Sequence, residues 1–260
     1  DGPVLDDTTA LRALLGKKVH DIGPAFALEI ERRVWTVTSD DATIEIALDR
    51  GEVVASGRRA PVSEIELELK RGAPSALFSF ARRIDAVAPV RIGVLNKAER
   101  GFRLLGPAAR AVKAEPVALT WDMTAADAFR HVAGACLRQF RLNEALIDRG
   151  HPEAVHQARV ALRRLRSAFS IFRPMIEDDT SGRLREELRW LAGSLGDARD
   201  LDVLSVRCEV EALRAKLEEA RHRAYDEAEA ALSSDRARAL MLDVSEWLVL
   251  GDWLALSSGE

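Results

Sequence analysis

His151–Arg173 reads HPEAVHQARVALRRLRSAFSIFR, and at helical spacing it carries two stripes. Val155, Ala158, Leu162, Leu165, Phe169 and Phe172 recur every three or four residues, the pattern of a helix face that packs on neighbours. His156, Arg159, Arg163, Arg166, Ser170 and Arg173 repeat that spacing one position later, about 100° further round the helix. Arg164 adds a further cation. Like charges stacked at i,i+4 repel, and no acid between Glu153 and Glu177 dilutes them. Two readings stand side by side. One is a surface helix whose arginines meet acids on neighbouring helices. The other is an anion site: guanidinium forks grip phosphate bidentately, and several in a row suit a polyanion better than a small ligand.

The surroundings of this helix read as a bundle. Thr124, three residues before Asp127, marks a helix start. Phe129, Ala133, Cys136, Leu137 and Phe140 make the first apolar stripe, and Pro152 opens the second helix at a favoured position. Pro174 stops it. Leu184, Leu188, Leu191 and Leu195 mark a third helix running on towards Leu204, and Val210, Leu213, Leu217, Ala220 and Ala224 a fourth. Four helices with short connections make an antiparallel bundle. A fifth, through Ala237, Leu240, Met241, Val244, Trp247 and Leu248, reads as a bridge leading onward. Arg207, Arg214 and Arg221 alternate with Glu211 and Glu218, an ion-paired and solvated face.

The amino-terminal part has a different period. Residues 1–24 hold one short helical run, Thr9 to Leu15. Ala25–Thr38, Ala42–Asp49 and Val62–Lys70 alternate as antiparallel strands, with turns at Ser39-Asp40-Asp41 and Arg50-Gly51. Pro74–Ala88 reads as a helix, and the piece containing Asn96–Leu104 as irregular or extended. Ala108–Leu119 lacks periodicity and contains Pro116. The division expected is a β domain over 1–107, a linker over 108–123 and a helical domain over 124–260.

Composition narrows the function classes. The 260 residues carry net charge −4, so a polyanion site must be a local patch and nucleic acid is not expected as a partner. Nineteen of the 20 basic residues after position 125 are arginine. Cys136 and Cys208 form no metal or disulfide motif. No apolar run is long enough to span a membrane and no leader is visible, so a soluble cytoplasmic protein is expected.

Val62–Lys70, VSEIELELK, places Glu64, Glu66, Glu68 and Lys70 on one face of a strand, and Ile65, Leu67 and Leu69 on the other. Glutamate is depleted in strands, and three on one face call for a cation. Oxygen donors alone favour Mg²⁺ or Mn²⁺. By the same alternation Glu45 and Asp49 come from the preceding strand. Arg32, Arg33, Arg58 and Arg59 lie near enough in sequence to face them. The alternative is a charged strand face turned to water.

Two resemblances extend this reading. VHQARVALRRLRS followed by LAGSLGDARDLDVL resembles the CHAD domain, a pair of four-helix bundles with a basic inner surface associated with inorganic polyphosphate. The resemblance implies phosphate-binding roles for His156, Arg159, Arg163, Arg164, Arg166 and Arg199. Asp200 is expected to orient a basic residue of the His151 helix. IEIALDRG, APVSEIELELKRG and NKAERGFRL resemble later strands of the CYTH domain, the closed antiparallel barrel of the triphosphate tunnel metalloenzymes. It implies metal held by Asp49, Glu64, Glu66 and Glu68, catalytic roles for Lys70 and Arg32, and phosphate contacts from Lys97 and Arg100. A CYTH domain ahead of a CHAD domain is a known bacterial arrangement.

The fold expected is α+β: an incomplete antiparallel barrel followed by an all-α bundle. The resemblance to CYTH covers about 24–105 and lacks that family's first strand, ExExK. The helical part corresponds to about half of a CHAD fold. The function expected is polyphosphate or triphosphate handling, with association to polyphosphate granules. The complete protein would be a metal-dependent triphosphatase and the present chain nearly inactive. The alternative is a non-catalytic polyphosphate-binding protein with a degenerate barrel, and a weaker one a bundle whose arginines meet an acidic protein.

Overall fold

The computed structural model describes residues 10–147 and 151–256. In chain order they form helix α1 (Ala10–Leu15), a 3-10 turn (Gly16–Asp21), strands β1 (Ala27–Thr38), β2 (Thr43–Ala55) and β3 (Arg58–Arg71), and helices α2 (Ser75–Asp85) and α3 (Lys97–Leu105). Then follow α4 (Ala125–Glu144), α5 (Pro152–Ile171), α6 (Arg173–Ile176), α7 (Asp179–Ser194), α8 (Gly196–Arg207), α9 (Glu211–Ser233), α10 (Asp235–Leu250) and α11 (Trp253–Leu256). They belong to two compact units. Of the described residues, one comprises 10–39, 43–70 and 95–108; the other comprises 40–42, 71–94, 109–147 and 151–256.

In the first unit the strands lie in the order β1-β2-β3, with β1 and β2 antiparallel and Arg32 opposite Asp49. The expected turn at Arg50-Gly51 is not there. The strand runs through it, because Gly51 has no side chain: a Cβ would sit 1.9 Å from the Glu29 carbonyl oxygen. The turn comes at Ser56-Gly57, where φ values of 48° and 74° give the paired positive φ that a two-residue hairpin needs. The barrel expectation is corrected as well. Among the described residues the sheet is open and three-stranded, and β1 leaves Leu28, Val34, Trp35 and Val37 exposed.

Asn96–Leu104, read as irregular or extended, contains the start of helix α3. Asn96 accepts from the Glu99 amide while the Glu99 carboxylate accepts from the Asn96 amide, a reciprocal cap. Arg58 donates to the carbonyls of Leu105 and Gly106 at the other end. The Phe26 ring lies where a Gly101 side chain would be, 2.4 Å from the Cβ position, and meets Phe102 edge-on at 5.2 Å. These contacts fix α3 beside the sheet.

The second unit is helical. Thr124 accepts from the Asp127 amide and starts α4. Phe129, Phe140, Leu162, Leu165, Phe169, Leu184, Leu188, Leu191 and Leu195 are fully buried in one core. The helix through Leu240, Val244 and Trp247, expected to bridge onward, is part of that core: Trp247 stacks on Phe169 at 5.1 Å and meets Phe129 at 5.9 Å. The third predicted helix is two, α7 and α8, divided at Leu195. The α2 segment, read as part of the β domain, packs in this unit. Arg82 bonds Asp243 and Glu246 of α10, and Asp85 accepts from Arg238. The segment read as a linker is held where Asn143, fully buried, exchanges bonds with the Val112 amide and carbonyl.

Candidate functional site

The first unit gathers six charged side chains at one place. Alternation sends Arg32 on β1, Asp49 on β2, and Glu64 and Glu66 on β3 to the same face of the sheet. Lys97 and Arg100, three apart on α3 and so on one side of that helix, reach them from above. Lys97 Nζ lies 2.6 Å from Asp49, 2.5 Å from Glu64 and 2.6 Å from Glu66. Arg32 grips both Asp49 oxygens at 2.7 Å and donates to Glu66 at 2.7 Å. Arg100 donates to Glu64 at 2.6 Å. Three carboxylates thus face three cations.

The ionisation of the group follows from this geometry. The Asp49 carboxyl, fully buried, is held down at about 2, chiefly by the bidentate Arg32 bonds and then by Lys97. Glu66 is lowered by Lys97 first and by Arg32. For Lys97, desolvation alone would lower its pKa. The bonds to Asp49, Glu64 and Glu66 outweigh it and raise the value. One oxygen each of Asp49, Glu64 and Glu66 lie within 4.8 Å of one another, close enough to hold one metal ion. Among the described residues no other group of three or more potential ligands does so, and Asp197, Asp200 and Asp202 do not converge.

Other predicted residues are placed differently. Glu68 does not join the trio; it lies one strand repeat further on, and with Glu45 it binds Lys70 at 2.8 and 3.4 Å. Of the four nearby arginines only Arg32 reaches the trio. Arg33 pairs with Glu31, Arg59 with Glu52, and Arg58 caps α3.

In the second unit the basic stripe of α5 divides. Arg159 donates to the Gly196 carbonyl at 2.8 Å and to Asp200 at 3.1 Å. Arg164 turns to α4, where it donates to the buried Gln139 at 2.9 Å. Arg173 is paired with Glu177. The side chains of His156, Arg163 and Arg166, and of Arg199 on α8, have no hydrogen-bond or ion-pair partner among the described residues. Arg214 and Arg221 pair with Glu211 and Glu218 at 3.1 Å each, as the alternation implies, but Arg221 is largely buried and also donates to the buried Asp202 at 2.8 Å, which accepts from Tyr225 too.

Comparison with known proteins follows the same division. Residues 4–102 match the CYTH domain and residues 131–258 the CHAD domain. The CYTH match therefore reaches to residue 4, ahead of the stretch in which the resemblance was read. An 81-residue stretch, 31% of the chain, is 35% identical to an inorganic triphosphatase of Haemophilus influenzae and spans 23% of that protein. The crystal structure of the CHAD domain from the plant Ricinus communis is similar at a TM-score of 0.51 and 33% identity. That likeness covers 58% of this chain and 53% of the plant one. No helix among the described residues is long and apolar enough to cross a membrane.

Proposed function

We propose that this chain, in which a CYTH domain precedes a CHAD domain, handles condensed inorganic phosphate. The sheet unit carries the residues of a divalent-metal-dependent triphosphatase, and the helical unit binds polyphosphate. The observation that carries the first part is the convergence of Asp49, Glu64 and Glu66 oxygens within 4.8 Å, flanked by Arg32, Lys97 and Arg100. An all-oxygen set of this size fits Mg²⁺ or Mn²⁺. When bound, such an ion supplies charge neutralisation and an acidified water. The trio would hold it. Arg32, Lys97 and Arg100 would grip phosphate oxygens, and Lys70, further along the same face, would hold a later phosphate of an extended substrate. Phosphoryl transfer to water asks little covalent chemistry of the protein, so positioning and charge account for most of the work. The similarity to an inorganic triphosphatase supports this class of substrate.

Arg163, Arg166 and Arg199, unpaired among the described residues, with His156 and the Asp200-oriented Arg159, form the polyphosphate face of the bundle. Such a face would also carry the protein to polyphosphate granules. A second reading, a binder without turnover, is favoured by the sheet being open among the described residues and by the trio being satisfied by its own cations. Phosphate release from tripolyphosphate, followed by ³¹P NMR with Mg²⁺ or Mn²⁺, separates the two. The expected result, in the complete protein, is metal-dependent release, abolished in Glu66→Gln, with polyphosphate binding retained. Absence of release with every divalent metal leaves the binder reading standing.

A further inference from the structure

We infer that Lys97 is the resident counter-ion of the Asp49–Glu64–Glu66 trio, so that a divalent metal enters only by displacing it and binds together with an anion. The inference rests on the reading of the trio as a metal site. Lys97 Nζ touches all three carboxylates at 2.5–2.6 Å, the position from which a metal would reach them. The ammonium and an ion cannot share that point.

Charge decides the consequence. Three acids and the cations Lys97, Arg32 and Arg100 balance as they stand. Adding a doubly charged ion leaves the group with a net positive charge beside Asp49, which is fully buried. Burying uncompensated charge is strongly unfavourable. An anion offsets that charge: the oxygens of a triphosphate take up the displaced ammonium and the ion together. The cluster also holds unused donor capacity, since Arg100 Nε is buried and has no acceptor. Lys97 can leave without disturbing the fold. Its flexible stem is the only part that moves, because α3 is fixed by Asn96, Glu99, Arg58 and the Phe26–Gly101 contact. Metal alone therefore binds weakly, and removal of the ammonium exposes an acidic site that takes metal without an anion.

Binding of Mn²⁺ to the full chain, read from the loss of the free-ion EPR signal in phosphate-free buffer, tests this directly. Lys97→Met is expected to bind Mn²⁺ at least about tenfold tighter than the wild type, as removing a competing charge at hydrogen-bond distance predicts. Lys97→Arg, which keeps the cation, is expected to stay weak. Binding by Lys97→Met no tighter than by the wild type, with both binding, overturns the inference and leaves the metal site intact. Failure of Lys97→Met, folded by circular dichroism, to bind Mn²⁺ in that buffer overturns the metal site and the inference together. The ¹⁵Nζ resonance of Lys97 in the wild type gives a second readout independent of any variant's folding. It should shift when Mg²⁺ and imidotriphosphate are added together, as the partners of the ammonium change from carboxylates to phosphate oxygens. An unmoved resonance while ³¹P shifts show Mg²⁺ and imidotriphosphate bound to the protein overturns the inference.

Discussion

Replacing Arg163 and Arg166 of α5 by alanine should flatten the salt dependence of polyphosphate binding. Cations already neutralised by a protein acid release few counter-ions from a polyanion. Arg159 is engaged by Asp200 at 3.1 Å and Arg173 by Glu177, whereas Arg163, Arg166 and Arg199 have no acid partner among the described residues. Three free guanidiniums, at about 0.7 per contact on a flexible polyanion, give a slope of roughly −2 in log K against log salt. Affinity should then fall about 20-fold between about 50 and 200 mM salt in the wild type and only about threefold in the double variant. Fluorescence anisotropy of end-labelled polyphosphate over that range measures both slopes. Arg236→Ala is the control: Arg236 is bidentate to Glu187 at 2.6 and 3.0 Å, so its loss should leave the slope unchanged. Parallel lines for wild type and double variant would refute the assignment of the α5 face.

Three further outcomes follow from the packing and the charges. Phe129→Ala removes a fully buried ring that meets Phe169, Phe172, Trp247 and Trp253, and should lower the stability of the helical unit by about 3–5 kcal/mol in urea unfolding. Gly51→Ala places a methyl 1.9 Å from the Glu29 carbonyl, so hydrogen exchange should show the β1–β2 amides losing protection while those of α4 and α5 keep theirs. Asp49 titrates at about 2 in the folded chain, below its unfolded value, so its contribution to stability is present above about pH 4 and is lost as pH falls towards 2. Asp49→Asn should therefore show a shallower loss of urea midpoint across that window than the wild type.

Much of this architecture is legible in the chain because two kinds of periodicity are undiluted. The apolar stripe from Val155 to Phe169 is fully buried, as a helix period implies. VSEIELELK alternates cleanly enough that Glu64 and Glu66 share a face with Asp49 of the next strand. The errors fall where a residue serves two purposes. Gly51 was read as a turn because glycine commonly permits one; here its missing side chain lets β1 approach β2. Asn96 and Glu99 form a capping pair at the spacing that starts a helix, and this local signal outweighs the strand that the CYTH resemblance implies for the same segment.

Partner choice among charges is less legible, for a reason that applies equally to both units. Periodicity says which side of an element a charge lies on and nothing about what stands opposite. On α5 the uniform basic stripe separates into Arg159, taken by an aspartate 41 residues away, Arg164, taken by Gln139, and a remainder left unpaired. On the sheet the acidic face suggests an open demand for a cation, yet Lys97 and Arg32 meet it from α3 and β1. A count of acids on a strand therefore overstates the affinity for metal, and a count of arginines on a helix overstates the number available to a polyanion. What each site offers a ligand is the charge left after internal pairing: on α5 and α8 Arg163, Arg166 and Arg199, unpaired among the described residues, and on the sheet a cluster whose three acids are already balanced by Lys97, Arg32 and Arg100.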